Sequence, residues 1–220
     1  MIHSGLTKQG CYMSRQLRAG SAAVAVLVFA GSTYAQAPAP APAPAPAADG
    51  PRYENGTDLV LPADYRSWRF IGAGLGMTYD GERGTQAGGA DNPRFTQTFV
   101  NPAAYDHFMR TGSWPDGTVF ILEFRGSQSE GSINVAGRFA IELTFLEAEV
   151  KDARFPDGWA FYAFGPGNNL ARTAQPLAGA AVAPCVECHS ENAAVERTFV
   201  QFYPHLLEVA RAKGTLKPGH

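Results

Sequence analysis

The sequence predicts an α+β fold, a mainly antiparallel β-sheet with helices at its margins. Three observations carry that prediction. Segments with period-two alternation fill the middle of the chain. Two turns of the form aromatic-Pro-Asp-Gly, at 114–117 and 155–158, open strand-like segments. Helical segments that start at proline and stop at glycine lie among and after them.

Taken in order, Pro62 to Trp68 reads as a short helix opened by proline, leading into a strand through Phe70. Gly72 to Gly76 then reads as a loop, with Met77 just beyond it. Phe95 to Val100 is β-prone. Asn101-Pro102 supplies an N-cap and a first-position proline for a helix that reaches about Arg110 and stops at Gly112. The turn Trp114-Pro115-Asp116-Gly117 feeds a strand from Val119 to Phe124. From Phe139 to Phe145 the residues alternate, with Phe139, Ile141, Leu143 and Phe145 on one face and Glu142 and Thr144 on the other. Phe155-Pro156-Asp157-Gly158 repeats the turn chemistry before a strand from Trp159 to Phe164. Cys185 onward is helical, and a last helix from Pro204 to Lys213 ends at Gly214.

Of 220 residues, the first 35 carry Lys8, Arg15 and Arg18, no acid, and an apolar run from Ala22 to Ala30. This is the pattern of a secretory signal peptide, with cleavage after Ala35. Residues 36–50 form an Ala-Pro-rich linker, a semi-rigid polyproline spacer. The folded domain is expected over 51–214, with a tail at 215–220. Removing the three leader cations from 18 basic residues leaves 15 against 20 acidic ones, a net charge of −5. That balance disfavours a nucleic-acid partner or an anionic membrane surface. No membrane span is expected after processing, and the location implied is the periplasm.

Cys11 falls in the leader, so the exported chain has two cysteines, both in Cys185-Val186-Glu187-Cys188-His189. The spacing C-x-x-C-H is the attachment signature of c-type haem. Thiols one helical turn apart can each bond a vinyl group on one edge of the porphyrin, and the following histidine is carried beneath the iron. One covalent haem c is therefore the expected cofactor, with Cys185 and Cys188 attaching it and His189 as the metal ligand. A structural zinc site would need a second pair of ligands, and a thioredoxin-like dithiol would open a βαβ unit. Only 31 residues follow His189 and none is Met, which excludes a small all-α cytochrome with a downstream methionine ligand. Met77, Met109, His107 and His205 are the other residues that could reach iron, and none is expected to ligate. Glu123 and Arg138 read as solvated charges on or near strands.

These pieces together resemble a known family. They are Leu61-Pro62-Ala63-Asp64-Tyr65-Arg66-Ser67-Trp68, then Tyr105 and His107 followed by Thr111-Gly112, then Asp116-Gly117-Thr118-Val119. Leu146-Glu147-Ala148, Val150-Lys151-Asp152 and Gly158-Trp159-Ala160-Phe161 follow, and the haem motif and Phe202-Tyr203-Pro204 complete the set. Their order and spacing resemble the cytochrome P-460 family, which includes the cytochromes c′-beta, from about Leu59 to Leu207. The resemblance implies a predominantly β fold around one haem, a five-coordinate iron with His189 proximal, an open distal site and a homodimer. It also implies two activities. Cytochromes P-460 proper oxidise hydroxylamine and bond a lysine to the porphyrin from the strand after the Asp-Gly-Thr turn. The c′-beta members bind nitric oxide at an apolar distal face.

Leu122 stands where that lysine would be, and the exported chain has only Lys151, Lys213 and Lys217. The expectation is therefore a haem protein that binds nitric oxide, with hydroxylamine oxidation and electron transfer to a partner protein as alternatives. Alternation places Phe120, Leu122 and Phe124 on one strand face, which makes them the residues expected to line the haem pocket.

Overall fold

The structure, a computed structural model, describes residues 48–78 and 91–220. The expected signal peptide and most of the expected linker lie outside the described residues. The fold is α+β, as expected: the described residues form two antiparallel sheets and three α-helices. The strands are β1 (Tyr53–Glu54), β2 (Asp58–Val60), β3 (Arg69–Leu75), β4 (Phe95–Val100), β5 (Thr118–Gln128), β6 (Phe139–Lys151), β7 (Trp159–Pro166) and β8 (Thr173–Ala174). The helices are α1 (Pro102–Thr111), α2 (Ala183–Asn192) and α3 (Pro204–Lys213). The main sheet runs β3-β4-β5-β6-β7 and a small sheet runs β1-β2-β8.

The central strand β5 is buried on both faces over Thr118–Ile121, and its two-residue period sorts side chains between two cores. Val119 and Ile121 point to one face, where Leu59, Trp68, Leu146, Val150, Tyr162 and Phe164 pack with the small sheet. Phe120 points to the other, into a cluster built by α1 and α3 around Phe108, Trp114, Val200 and Leu206. There Trp114 stacks on Phe108 at 4.1 Å and meets Phe120 edge-on at 4.8 Å.

Most terminators behave as expected. Gly112 and Gly214 close α1 and α3 with φ of 75° and 69°. Gly117 and Gly158 take left-handed φ in the two turns. Elsewhere the structure departs from the pattern. Pro62–Trp68 folds only a single 3-10 turn, Tyr65–Ser67. The glycine run is strand, paired through Gly72↔Thr98 and Gly74↔Thr96, because glycines there admit neighbours over the sheet. A Cβ on Gly72 would lie 2.6 Å from the Tyr203 ring. In β6 a bulge pairs Phe145 with Phe124 but Leu143 with Arg125. Leu143 therefore joins the small-sheet core and no longer shares a face with Phe145. Asn101 sits at the N-cap of α1, but its side chain serves the sheet, accepting from the Val119 N–H and donating to the Gly117 carbonyl. Asp49 takes over the cap and accepts the Ala103 N–H at 2.8 Å.

Glu123 is the clearest correction to the charge reading. It is 1% exposed, on the small-sheet side of β5. Tyr65 Oη donates to it at 2.6 Å, Arg66 Nε at 2.8 Å and Arg125 Nε at 2.7 Å. Arg138 fastens the end of the β5–β6 hairpin by donating to Ser127 Oγ and Asn92 Oδ1.

Burial alone would raise the Glu123 carboxyl, but the tyrosine hydroxyl and the two guanidinium groups outweigh it and hold it below the usual glutamate value. A lowered folded-state value means that the unfolded chain binds the proton first as pH falls. The stabilisation is thus fully present above the ordinary glutamate value and is lost as pH drops through the lowered one. Glu123→Gln should cost about 3 kcal/mol at neutral pH. Urea unfolding from pH 7 to pH 3 checks this, because the variant should lack that part of the acid sensitivity.

Candidate functional site

Helix α2 carries the motif. Pro184 occupies its first turn. Cys185 and Cys188, three residues apart, lie on one side of the helix, and both are half-buried. Glu187 between them is exposed. His189 turns into the protein, with 23% of its side chain exposed. Its ring sits edge-on between Phe161 of β7 at 4.8 Å and Phe199 at 4.7 Å.

Nδ1 of His189 lies 2.7 Å from the carbonyl oxygen of Arg197. A carbonyl only accepts, so Nδ1 carries the proton and Nε2 keeps its lone pair. That is the tautomer required of an imidazole metal ligand, whose second nitrogen donates to a carbonyl or carboxylate. The donor set thus fits haem iron. Glu149 Oε1 also lies 3.2 Å from Nδ1 yet accepts no hydrogen bond, because the N–H is directed at the carbonyl.

The sheet beneath is organised in rows set by register. Val100, Phe120, Glu149 and Phe161 form one row across β4 to β7. The next row is Thr98, Leu122, Glu147 and Ala163, followed by Thr96, Phe124 and Phe145. His189 stands over the first row. Leu122 and Phe124 are half-buried at mid-strand, although Ile121 and Glu123 on the reverse face are fully covered. A flat apolar group can seat on this face. Phe120, on the same side, is already packed against Trp114. Tyr203 borders the rows by lying over Gly72 and donating its hydroxyl to Thr98 Oγ1 at 2.9 Å.

Two carboxylates here escape a pattern reading. Glu147 and Glu149 alternate with buried Leu146, Ala148 and Val150, which looks like a solvated sheet face. Only the register places them beneath α2. Burial pushes both carboxyls above the usual glutamate value, partly offset by His189. Burial lowers His189 in turn, but Glu149, the Arg197 carbonyl and Glu147 together hold it above its ordinary value. Of the other residues that could reach iron, Met109 is exposed on α1 and the His205 ring lies beside Tyr105. Met77 folds over Gly74, beside Thr96.

Gly72→Ala should push the Tyr203 ring off the strand and break its bond to Thr98, at a cost of about 1–3 kcal/mol. Tyr203→Phe, which removes the bond alone, should cost about 1 kcal/mol. Urea denaturation of the two variants should rank them in that order.

A family model described as cytochrome P-460 matches residues 62–200. No curated protein matches the chain.

Proposed function

From the premise that the chain belongs to the cytochrome P-460 family and is a haem-binding cytochrome, we propose that it carries one covalent haem c and binds nitric oxide. Cys185 and Cys188 would hold the porphyrin by thioether bonds, and His189 Nε2 would hold the iron. When bound, the iron supplies one coordination position for a diatomic ligand. The observation that carries the reading is the row containing Leu122. Where relatives of the hydroxylamine-oxidising type place a lysine that bonds the porphyrin, this strand presents hydrocarbon. Leu122 and Phe124 offer no hydrogen-bond donor to a bound ligand, which disfavours dioxygen and leaves nitric oxide, a ligand that needs no such donor. Phe120 supports the same face from the core, through Trp114.

Export to the periplasm fits this reading, because the leader and the attachment motif belong to the same compartment. Among the described residues no helix is long and apolar enough to cross a membrane. The family resemblance also makes a homodimer the expected assembly.

Glu147 favours the second reading, oxidation of hydroxylamine. It is the cross-strand neighbour of Leu122. Its raised carboxyl would be suited to take up a proton from an N–H substrate.

Three measurements separate these readings. The haem should stay with the chain in acidic acetone, and Cys185→Ala with Cys188→Ala should release it. The ferric spectrum should be high-spin, whereas a low-spin spectrum would point to electron transfer instead. Stopped-flow mixing of the reduced protein with nitric oxide should give a saturable Soret shift, with no hydroxylamine turnover above that of free haem. Absence of the shift overturns the nitric oxide reading, and turnover establishes the second.

A further inference from the structure

The segment Val195-Glu196-Arg197-Thr198 forms a tight turn closed by a β-bridge between its ends. Glu196 adopts φ 52°, a left-handed conformation unfavourable for a residue with a long side chain. Such a backbone persists only where its surroundings over-determine it. Here they do. Glu196 Oε1 accepts the Trp114 N–H at 3.1 Å, and Oε2 pairs with Lys151 Nζ at 2.5 Å. Lys151 also donates to the Trp114 carbonyl at 2.7 Å, with its ammonium 5.7 Å from the Trp159 ring centroid. Thr198 Oγ1 accepts the Trp114 indole N–H at 2.8 Å and donates to the Val195 carbonyl at 2.8 Å. The turn is thereby tied to Trp114 and to the last residue of β6.

Between these ties lies Arg197, whose carbonyl accepts from His189 Nδ1. Its guanidinium reaches back to α2, donating to Ser190 Oγ at 2.8 Å. The imidazole has a choice of acceptors, since the Glu149 carboxylate waits 3.2 Å from the same nitrogen. A backbone carbonyl and a side-chain carboxyl group differ in effect. The carboxylate draws the Nδ1 proton further and makes the ring a more strongly donating ligand.

We propose that Lys151 and Glu196 are positioning residues that select the Arg197 carbonyl as the acceptor. By holding the turn in its left-handed form they keep the Arg197 carbonyl on His189 and keep Glu149 off it. The clamp thereby sets the donor strength of the imidazole without touching the haem. This inference rests on the reading that His189 ligates the iron.

The test uses the holoprotein. Glu196→Gly, which takes the left-handed φ unaided, should leave the carbonyl and the potential in place, whereas Lys151→Met and Glu196→Ala each remove the clamp and leave a residue that resists that φ. In Lys151→Met and Glu196→Ala the Nδ1–H turns to Glu149 and the haem midpoint potential falls. Adding Glu149→Gln to either variant should abolish the fall. Unchanged potentials in Lys151→Met and Glu196→Ala, or a fall that persists once Glu149→Gln is added, would overturn the inference. Histidine-labelled ferric wild type separates the two readings: a hyperfine-shifted, exchangeable Nδ1 proton from His189 establishes ligation independently of the clamp. Its absence would overturn both.

Discussion

The strict sidedness of β5 is the constraint on which the rest of the molecule depends. Over Thr118 to Ile121 this third of five strands is buried on both faces, so odd and even positions each have a cover of their own. The small sheet and the Tyr65–Ser67 turn together cover Val119, Ile121 and Glu123. On the reverse face α1 and α3 cover Phe120, but the cover thins towards Leu122 and Phe124. The helix bearing the two cysteines and His189 arrives on that same face. Leu122, Phe124 and His189 therefore lie on the same face of the sheet because a strand alternates, with no single contact bringing them together.

Three glutamates on neighbouring strands show how sidedness sets chemistry. Glu123 lies on the closed face and meets two guanidinium groups and a phenol, which hold it charged. Glu147 and Glu149 lie on the other face, where His189, joined at Glu149 by Arg197, offsets burial only in part, and both carboxyls are raised. The difference is one of facing: residue type and strand are nearly the same, but a one-residue step reverses the sign of the shift.

Much of this was legible in the residues. The aromatic-Pro-Asp-Gly turns, the helix-ending glycines and the C-x-x-C-H spacing are local rules, and local rules survive into the fold. What failed depended on neighbours distant in sequence. Gly72 to Leu75 is strand because Tyr203 must lie against it, over a hundred residues away in the chain. The N-cap of α1 comes from Asp49, while Asn101 is drawn into the sheet. The bulge opposite Arg125 has no signature in the alternation it interrupts. Glu147 and Glu149 were visible only as polar alternates, since a pattern of period two cannot tell water from a helix bearing a histidine. The Arg197 carbonyl was invisible altogether, because backbone atoms have no letter in a sequence.

The lysines draw these levels together. Lys151 is the one lysine within the main sheet, and it shares a face with Glu147 and Glu149. Its position at the end of β6 puts its ammonium beside Trp114 and Glu196, two rows from Leu122. Once committed to a carbonyl, a carboxylate and an aromatic ring, that amine has no reach towards the middle of the sheet. Two independent requirements therefore meet in this chain. The β5 positions beneath the proposed haem, Leu122 and Phe124, stay hydrocarbon, which leaves no place there for the covalent lysine of the hydroxylamine-oxidising relatives. The support behind His189 stays polar and tightly tied, because an imidazole on a short helix is oriented only as well as the turn that accepts its proton. A protein built this way can lose one chemistry at the sheet while keeping the geometry that any haem chemistry needs at the histidine.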